Sequence, residues 1–215
     1  MAKVCPTITV SDAHAYRQQM ERIVPFTKRV HIDLMDGIFA PTKSVEPSEV
    51  WWPAGMEADI HLMFKNPSHY IYLLIDLKPQ LIIIHAETED DFIEIAERIK
   101  RAKIKVGVAL LQQTPVSKIE PALSVIDHVL IFSGNLGYQG GGSVDLELLT
   151  KVKSLRKLKD NLEIGWDGGV TEHNIGDLAE GDVDVLNVGS YIQRAENANS
   201  AYAKLVKLVT TAGKQ

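Results

Sequence analysis

The sequence predicts a single-domain α/β protein, a (β/α)8 barrel of the TIM-barrel class that spans residues 1–215. Eight short apolar segments alternate with amphipathic segments, as expected of repeated βα units. Several apolar segments are continuously hydrophobic, which is typical of parallel strands covered on both faces. A doubly wound open sheet shows the same alternation, but eight units without a ninth or a long insertion favour the barrel. No linker or change in composition indicates a second domain.

The eight apolar segments are the predicted strands. Leu81–Ile84 and Val129–Phe132 are continuous apolar runs rather than alternating ones, so both faces of these strands are expected to be buried. In chain order, the predicted strands are Val4–Val10, Arg29–Leu34, Ala58–Met63, Leu81–His85, Lys105–Leu110, His128–Phe132, Leu162–Trp166 and Val183–Val188.

The segments between the strands carry apolar residues at helical spacing. The segment from Phe92 to Ile99 repeats in this way after Thr88, a candidate N-cap that acidic residues follow. Leu148–Leu155 and Tyr202–Val209 indicate two further helices. Weaker helical patterns cover Asp12–Ile23, Pro67–Asp76, Pro115–Val125 and Thr171–Leu178, the last with Thr171 as its candidate N-cap.

Composition and charge limit the classes of function. Hydrophobic residues make up 45% and charged residues 24% of the chain, which fits a soluble globular enzyme. The net charge of −5 leaves no basic patch, so nucleic acid and anionic membranes are not expected as partners. The single cysteine, Cys5, excludes an intrachain disulfide framework. With no signal-peptide core and no apolar run of about 18 residues, we expect a cytoplasmic protein; a homo-oligomer remains open.

Four metal-competent side chains lie at or just past the carboxyl ends of predicted strands. They are His31, Asp33, His61 and Asp167. Ligands bind at these ends in both barrels and open α/β sheets, so the four are expected to converge. Two imidazoles and two carboxylates suit one divalent ion; zinc fits this set, and iron, manganese or cobalt would also fit. The sequence therefore predicts a metal enzyme with two carboxylates placed to move protons.

Glycine-bearing loops follow predicted strands six, seven and eight. Glycines allow backbone amides to approach a ligand closely, and phosphate sites of these barrels commonly form after the last two strands. No Walker A motif or dinucleotide fingerprint is present, so a nucleotide cofactor is not expected. The candidate phosphate-binding residues are Gly140, Gly141, Gly168, Gly169, Gly189 and Ser190.

The order of these motifs resembles the ribulose-phosphate 3-epimerase family. The motifs are His31-Ile-Asp33-Leu-Met35-Asp36-Gly37, His61-Leu-Met63, Asp167-Gly-Gly169 and Gly189-Ser190. The resemblance runs from Pro6 to Ile192. It implies a metal-dependent barrel that inverts C3 of D-ribulose 5-phosphate through an enediolate and gives D-xylulose 5-phosphate.

The resemblance also implies roles for individual residues. The four metal-competent residues would bind the cation, and Asp33 and Asp167 would be the acid/base pair on opposite faces of the sugar carbon. Residues that would contact the sugar or its phosphate are Thr7, Met35, Met63, Gly140, Gly141, Gly168, Gly169, Gly189 and Ser190.

The loops after strands five and six depart from the family pattern. The segments Leu110–Pro115 and Leu136–Gly141 differ from the usual motifs, and Phe132 stands where a methionine is common. These departures leave two alternatives open: an epimerase of another ketose phosphate, such as a hexulose 6-phosphate, and a phosphosugar-binding barrel without turnover. A decarboxylase of the orotidine-phosphate type is not expected, because Met35 occupies the place of its lysine.

Three further side chains are interpreted from position alone. Asp36 lies out of register with the other polar residues of its strand, which favours a turn or a supporting role. His85 ends strand four and either borders the site or is buried against a backbone partner. Trp166 is expected to fill the barrel beside Asp167.

Overall fold

The computed structural model describes residues 1–140 and 142–213. Eight parallel strands pair in chain order and close on themselves, with β8 beside β1, so the predicted (β/α)8 barrel is confirmed. The strands are β1 Lys3–Ile8, β2 Arg29–Met35, β3 Glu57–Met63, β4 Leu81–His85, β5 Lys105–Leu110, β6 His128–Phe132, β7 Glu163–Asp167 and β8 Val185–Val188.

Helices follow the strands and cover the outside of the barrel. They are α1 Ala13–Ile23, α2 Ile71–Asp76, α3 Phe92–Arg101, α4 Leu149–Leu158, α5 Ile175–Glu180, α6 Ser190–Gln193 and α7 Ala198–Ala212. Short 3-10 helices occupy Pro47–Glu49, Pro67–His69, Val116–Ala122 and Leu146–Leu148. Within the described part of the chain, no helix is both long enough and apolar enough to cross a bilayer.

The structure differs from the predictions in the type of one helix and in the starts of two others. The segment predicted as a helix over Pro115–Val125 is a 3-10 helix with Pro121 inside it, because proline lacks the N–H that an α-helix needs. The N-cap of α3 is Asp91 rather than Thr88, and its carboxylate accepts hydrogen bonds from two backbone N–H groups. Helix α5 begins after Asn174 rather than Thr171.

Side chains that point out of the barrel form the main core with the helices. Alternation along β7 places Trp166 in this outer core, while Asp167 points inward, so the expectation that Trp166 fills the barrel is wrong. Its indole Nε1 donates to the carbonyl oxygen of Gly168 at 3.3 Å. A separate apolar cluster from β4, β5 and β6 consists of Leu81, Ile83, Ala109 and Leu130.

A buried ionic cluster joins the amino-terminal ends of β2, β3, β6 and β7. Arg29 Nε donates to Asp59 Oδ2 at 2.7 Å, and its two terminal nitrogens donate to Glu163 at 3.0 and 2.8 Å. Nδ1 of His128 lies 3.0 Å from Glu163. Burial would raise the pKa of Glu163, but hydrogen bonds from His128 and Arg29 hold that pKa well below its usual range. Burial raises the pKa of Asp59, against the opposing charge of Arg29.

Candidate metal centre and active site

His31, Asp33, His61 and Asp167 converge inside the carboxyl end of the barrel. One ligand atom from each lies within 4.8 Å of the others, and all four side chains are buried. The strand register explains this convergence, because Asp33 pairs directly with His61 across β2 and β3. We refer to these four residues as the metal-competent group.

The distances within the metal-competent group fit a single ion. His61 Nδ1 lies 2.9 Å from Asp33 Oδ1, and His31 Nε2 lies 3.2 Å from the same oxygen. The two histidine nitrogens are 3.4 Å apart, and Asp167 Oδ2 lies 3.6 Å from His31 Nε2 and 3.8 Å from His61 Nδ1. A tetrahedral ion with bonds of about 2.0–2.1 Å separates its ligands by roughly 3.3–3.4 Å, within the measured span. The donor set therefore suits one divalent ion.

Burial and mutual charge push the two carboxylates in opposite directions. Burial would raise the pKa of Asp33, but hydrogen bonds with His31 and His61 hold it well below its usual range. Burial and the negative charge of Asp33 raise the pKa of Asp167. Burial lowers the pKa of His61 to about 3, which keeps its imidazole neutral and able to offer a lone pair. Two carboxyl groups with diverging proton affinities are an arrangement that can take and give protons.

A cavity opens above the metal-competent group. Met35 and Met63 line it, and with Ala40 and Phe132 they form a small apolar cluster. The Thr7 hydroxyl is buried at its wall and has no hydrogen-bond partner among the described residues. The lining residues that the sequence predicted are Thr7, Asp33, Met35, Met63, Gly140, Asp167, Gly168, Gly169, Gly189 and Ser190.

The loop after β7 packs against the loop after β6 so closely that side chains are excluded. Gly168 and Gly169 have φ values of +107° and +72°. A Cβ on Gly168 would lie 2.0 Å from the backbone nitrogen of Gly134, and one on Gly169 would lie 2.7 Å from the carbonyl carbon of Ser143. Glycine is therefore required at both positions, and their backbone borders the cavity.

The β6 and β8 loops complete the same side of the cavity. A Cβ on Gly140 would lie 2.9 Å from that of Ser190, and one on Gly189 would lie 3.3 Å from the side chain of Gln139. The structure thus brings together the predicted glycine-bearing loops. Gly141, also predicted to bind phosphate, lies outside the described residues.

Two polar residues of the site, Thr9 and Asn187, are not among those that the sequence predicted. Thr9 Oγ1 donates to Asp33 Oδ2 at 2.6 Å, and Asn187 borders the cavity with a buried Oδ1 that has no partner in the described chain. Period-two alternation from Thr7 would have indicated Thr9, and Asn187 is the polar residue of the apolar segment Val185–Val188.

The structure gives Asp36 and His85 defined hydrogen-bond partners. Asp36 accepts backbone hydrogen bonds from Ile38 and Phe39 at 2.8 Å each, so it stabilises a turn. The partners of His85 are the side chains of His61 and Glu87, so it borders the metal-competent group rather than binding backbone.

Fold and site together define a class: a (β/α)8-barrel enzyme with a buried metal-competent centre and a glycine-lined cavity at the carboxyl ends of its strands. The chain belongs to the ribulose-phosphate 3-epimerase family, whose model, "Ribulose-phosphate 3 epimerase family", matches residues 3–193. It is accordingly an isomerase of a family that acts on carbohydrate phosphates.

Individual relatives agree with this assignment. The chain is 33% identical to "Ribulose-phosphate 3-epimerase" of Helicobacter pylori, with 93% of this chain and 94% of that protein covered. It is 30% identical to the protein of the same name from Aquifex aeolicus, with 99% of each chain covered. The solved structure of KGPDC from Streptococcus mutans superposes over 99% of each chain with a TM-score of 0.71. At 15% identity, this last likeness shows the fold alone.

Proposed function

We propose that the protein is a metal-dependent 3-epimerase that interconverts D-ribulose 5-phosphate and D-xylulose 5-phosphate. The observation that carries the proposal is the pair Asp33 and Asp167, two buried carboxyl groups with diverging proton affinities in one metal-competent group. Family membership supports the choice of reaction. A cytoplasmic location and the absence of nucleic-acid and membrane partners remain predictions.

One divalent ion would be held by His31, Asp33, His61 and Asp167, as the nitrogen and oxygen donors and their spacing suggest. When bound, the ion supplies Lewis-acid stabilisation of the negative charge that develops on the substrate oxygens next to C3. The two-imidazole, two-carboxylate set favours zinc, and iron, manganese and cobalt remain possible occupants.

Inversion at C3 needs one proton removed from one face and another delivered to the opposite face. Asp33, whose pKa lies well below its usual range, would take the C3 proton and leave an enediolate. Asp167, whose pKa is raised, would deliver a proton from the other side. The roles exchange in the reverse direction. Proton transfer by positioned groups of this kind contributes about 10²–10⁴-fold to the rate.

The cavity walls would bind the rest of the substrate. Backbone amides of the glycine-bearing loops and the Ser190 hydroxyl would hold the phosphate, and the Thr7 hydroxyl would face the sugar. The thioethers of Met35 and Met63 would limit water without offering a proton to the intermediate. The phosphate would contact Gly140, Gly141, Gly168, Gly169, Gly189 and Ser190.

The loop after β6 supports a second candidate substrate. Tyr138 and Gln139 belong to the β6 loop that departs from the family pattern, and both line the cavity. Because this divergent loop lines the cavity, a hexulose 6-phosphate is the second candidate substrate.

Isotope exchange tests the reaction directly. The purified protein is incubated with D-ribulose 5-phosphate in D2O, and the products are followed by NMR. We expect D-xylulose 5-phosphate carrying one solvent deuterium at C3. Binding without any deuterium incorporation would refute the enzyme and favour the silent phosphosugar-binding barrel. A parallel assay in which the hexulose 6-phosphate has the higher kcat/KM would replace the pentose with the second candidate.

A further inference from the structure

Glu87, which is half-buried, and His85 form a hydrogen-bonded connection to the metal-competent group. His85 ends β4 and is completely buried. Its Nε2 lies 2.9 Å from Nε2 of His61, and its Nδ1 lies 3.3 Å from Oε2 of Glu87. Neither residue takes part in the proposed proton transfer or phosphate binding.

The orientation of the His61 ring decides which of its nitrogens faces the metal-competent group. Nδ1 lies 2.9 Å from Asp33 Oδ1 and 3.4 Å from His31 Nε2. Nε2 faces His85 instead. A metal ion binds the lone pair of a neutral imidazole, so Nδ1 must be free of a proton and Nε2 must carry it.

This requirement fixes the protons further along the connection. The Nε2–H of His61 donates to Nε2 of His85, which must therefore be unprotonated. His85 then holds its own proton on Nδ1, and this N–H donates to Oε2 of Glu87. Because an ionised carboxylate only accepts hydrogen bonds, Glu87 enforces this order of protons and opposes the reverse order.

Glu87 is itself held by the loop after β5. Its Oε1 accepts hydrogen bonds from the backbone N–H of Leu111, at 3.1 Å, and from the hydroxyl of Thr114. That loop is anchored by Lys151, whose Nζ donates to the carbonyl oxygens of Leu111 and Thr114 at 2.8 Å each. Both carboxylate oxygens of Glu87 therefore face donors, in a position set by the surrounding backbone.

We propose that Glu87 and His85 are positioning residues that hold His61 in its Nε2–H form, so that the Nδ1 lone pair faces the metal ion. The proposal rests on the metal centre of the proposed function, but not on the identity of the sugar phosphate. Partners placed behind a metal-bound histidine typically contribute about 10–100-fold to metal affinity.

Glu87→Gln is the most informative variant, because an amide offers both a donor and an acceptor. Whichever way it turns, its NH2 group faces a donor, either Nδ1–H of His85 or the N–H of Leu111. We expect the affinity for Zn²⁺ to fall about 10–100-fold. Glu89→Gln is the matched control, because Glu89 lies on the same loop with its side chain 59% exposed and pairs only with Lys65 among the described salt bridges.

Two substitutions of His85 separate positioning from packing. A glutamine at this position can accept from Nε2–H of His61 and donate to Glu87, so His85→Gln preserves the order of donors and acceptors. A leucine fills similar space but offers neither group. We expect His85→Gln to retain more zinc affinity than His85→Leu, and equal losses would indicate that His85 only packs.

The dissociation constant for Zn²⁺ is measured by chelator competition on metal-stripped full-length protein, with circular dichroism to verify folding. Spectra correlating ¹⁵N and ¹H in the zinc-loaded wild-type protein identify the protonated ring nitrogens. We expect protons on Nε2 of His61 and Nδ1 of His85. A proton on Nε2 of His85, or equal zinc affinities for Glu87→Gln and Glu89→Gln, would overturn the proposal. Zinc binding without epimerisation of D-ribulose 5-phosphate would refute the proposed reaction and leave this inference standing.

Discussion

Replacement of Arg29 by methionine tests the buried ionic cluster at the amino-terminal end of the barrel. The Arg29 side chain is 12% exposed, Asp59 is 1% exposed and Glu163 is 26% exposed, so both carboxylates would lose their cation inside the protein. Three charge-assisted hydrogen bonds at about 1.5–3 kcal/mol each set an upper limit of roughly 9 kcal/mol. Glu163 can partly rehydrate, so we expect a loss of about 3–5 kcal/mol in the free energy of unfolding at pH 7.

The assay is urea unfolding of Arg29→Met, with circular dichroism and tryptophan fluorescence required to give coincident transitions. Arg101→Met is the matched control, since Arg101 is 68% exposed and lies 3.9 Å from Glu97. We expect the control to lose about 0.5 kcal/mol or less. A loss in Arg29→Met no larger than in the control would refute the reasoning.

The same variant has a defined pH dependence. In the wild-type protein the folded pKa of Glu163 is depressed, so its contribution to stability is present above the unfolded pKa and is lost as the pH falls. Without Arg29 the folded pKa of Asp59, already raised by burial, rises further, and protonation then relieves the buried charge. We therefore expect the stability gap between wild type and Arg29→Met to shrink as the pH is lowered from 7 towards 4.

Three further predictions concern the site. Asp33→Asn and Asp167→Asn should each lower kcat about 10²–10⁴-fold while inorganic phosphate still binds, and near wild-type epimerisation would remove that residue from the proposed role. His31→Ala should hold less metal in elemental analysis after chelation, reloading and washing; full occupancy would contradict its role as a ligand. Gly168→Ala should destabilise the protein by about 3 kcal/mol or more in urea unfolding. The new Cβ would lie 2.0 Å from the backbone nitrogen of Gly134, and the φ of residue 168 is positive. Gly176→Ala is the control, with open space around it in α5, and should be neutral or slightly stabilising.

The sequence predicted the parts of the site that depend on strand ends. His31, Asp33 and His61 follow from their places in apolar segments, because parallel strands bring their carboxyl ends to one side of the fold. It did not reveal that Glu87 reaches His85, since that contact depends on how the β5 loop folds back over the end of β4. The prediction that Trp166 fills the barrel beside Asp167 is wrong because adjacent residues of a strand point to opposite faces, and Asp167 takes the inward face.

By itself, the order of apolar and amphipathic segments determined that this chain forms eight βα units with metal-competent residues at the carboxyl ends of the strands. The spacing of apolar residues within each segment indicates whether that segment is a strand or a helix, and this signal does not depend on distant residues. The tertiary structure alone decided that the ring closes, that four donor atoms lie within 4.8 Å, and that Glu87 faces the histidines. These depend on strand register and loop packing, which come from contacts between residues far apart in the chain.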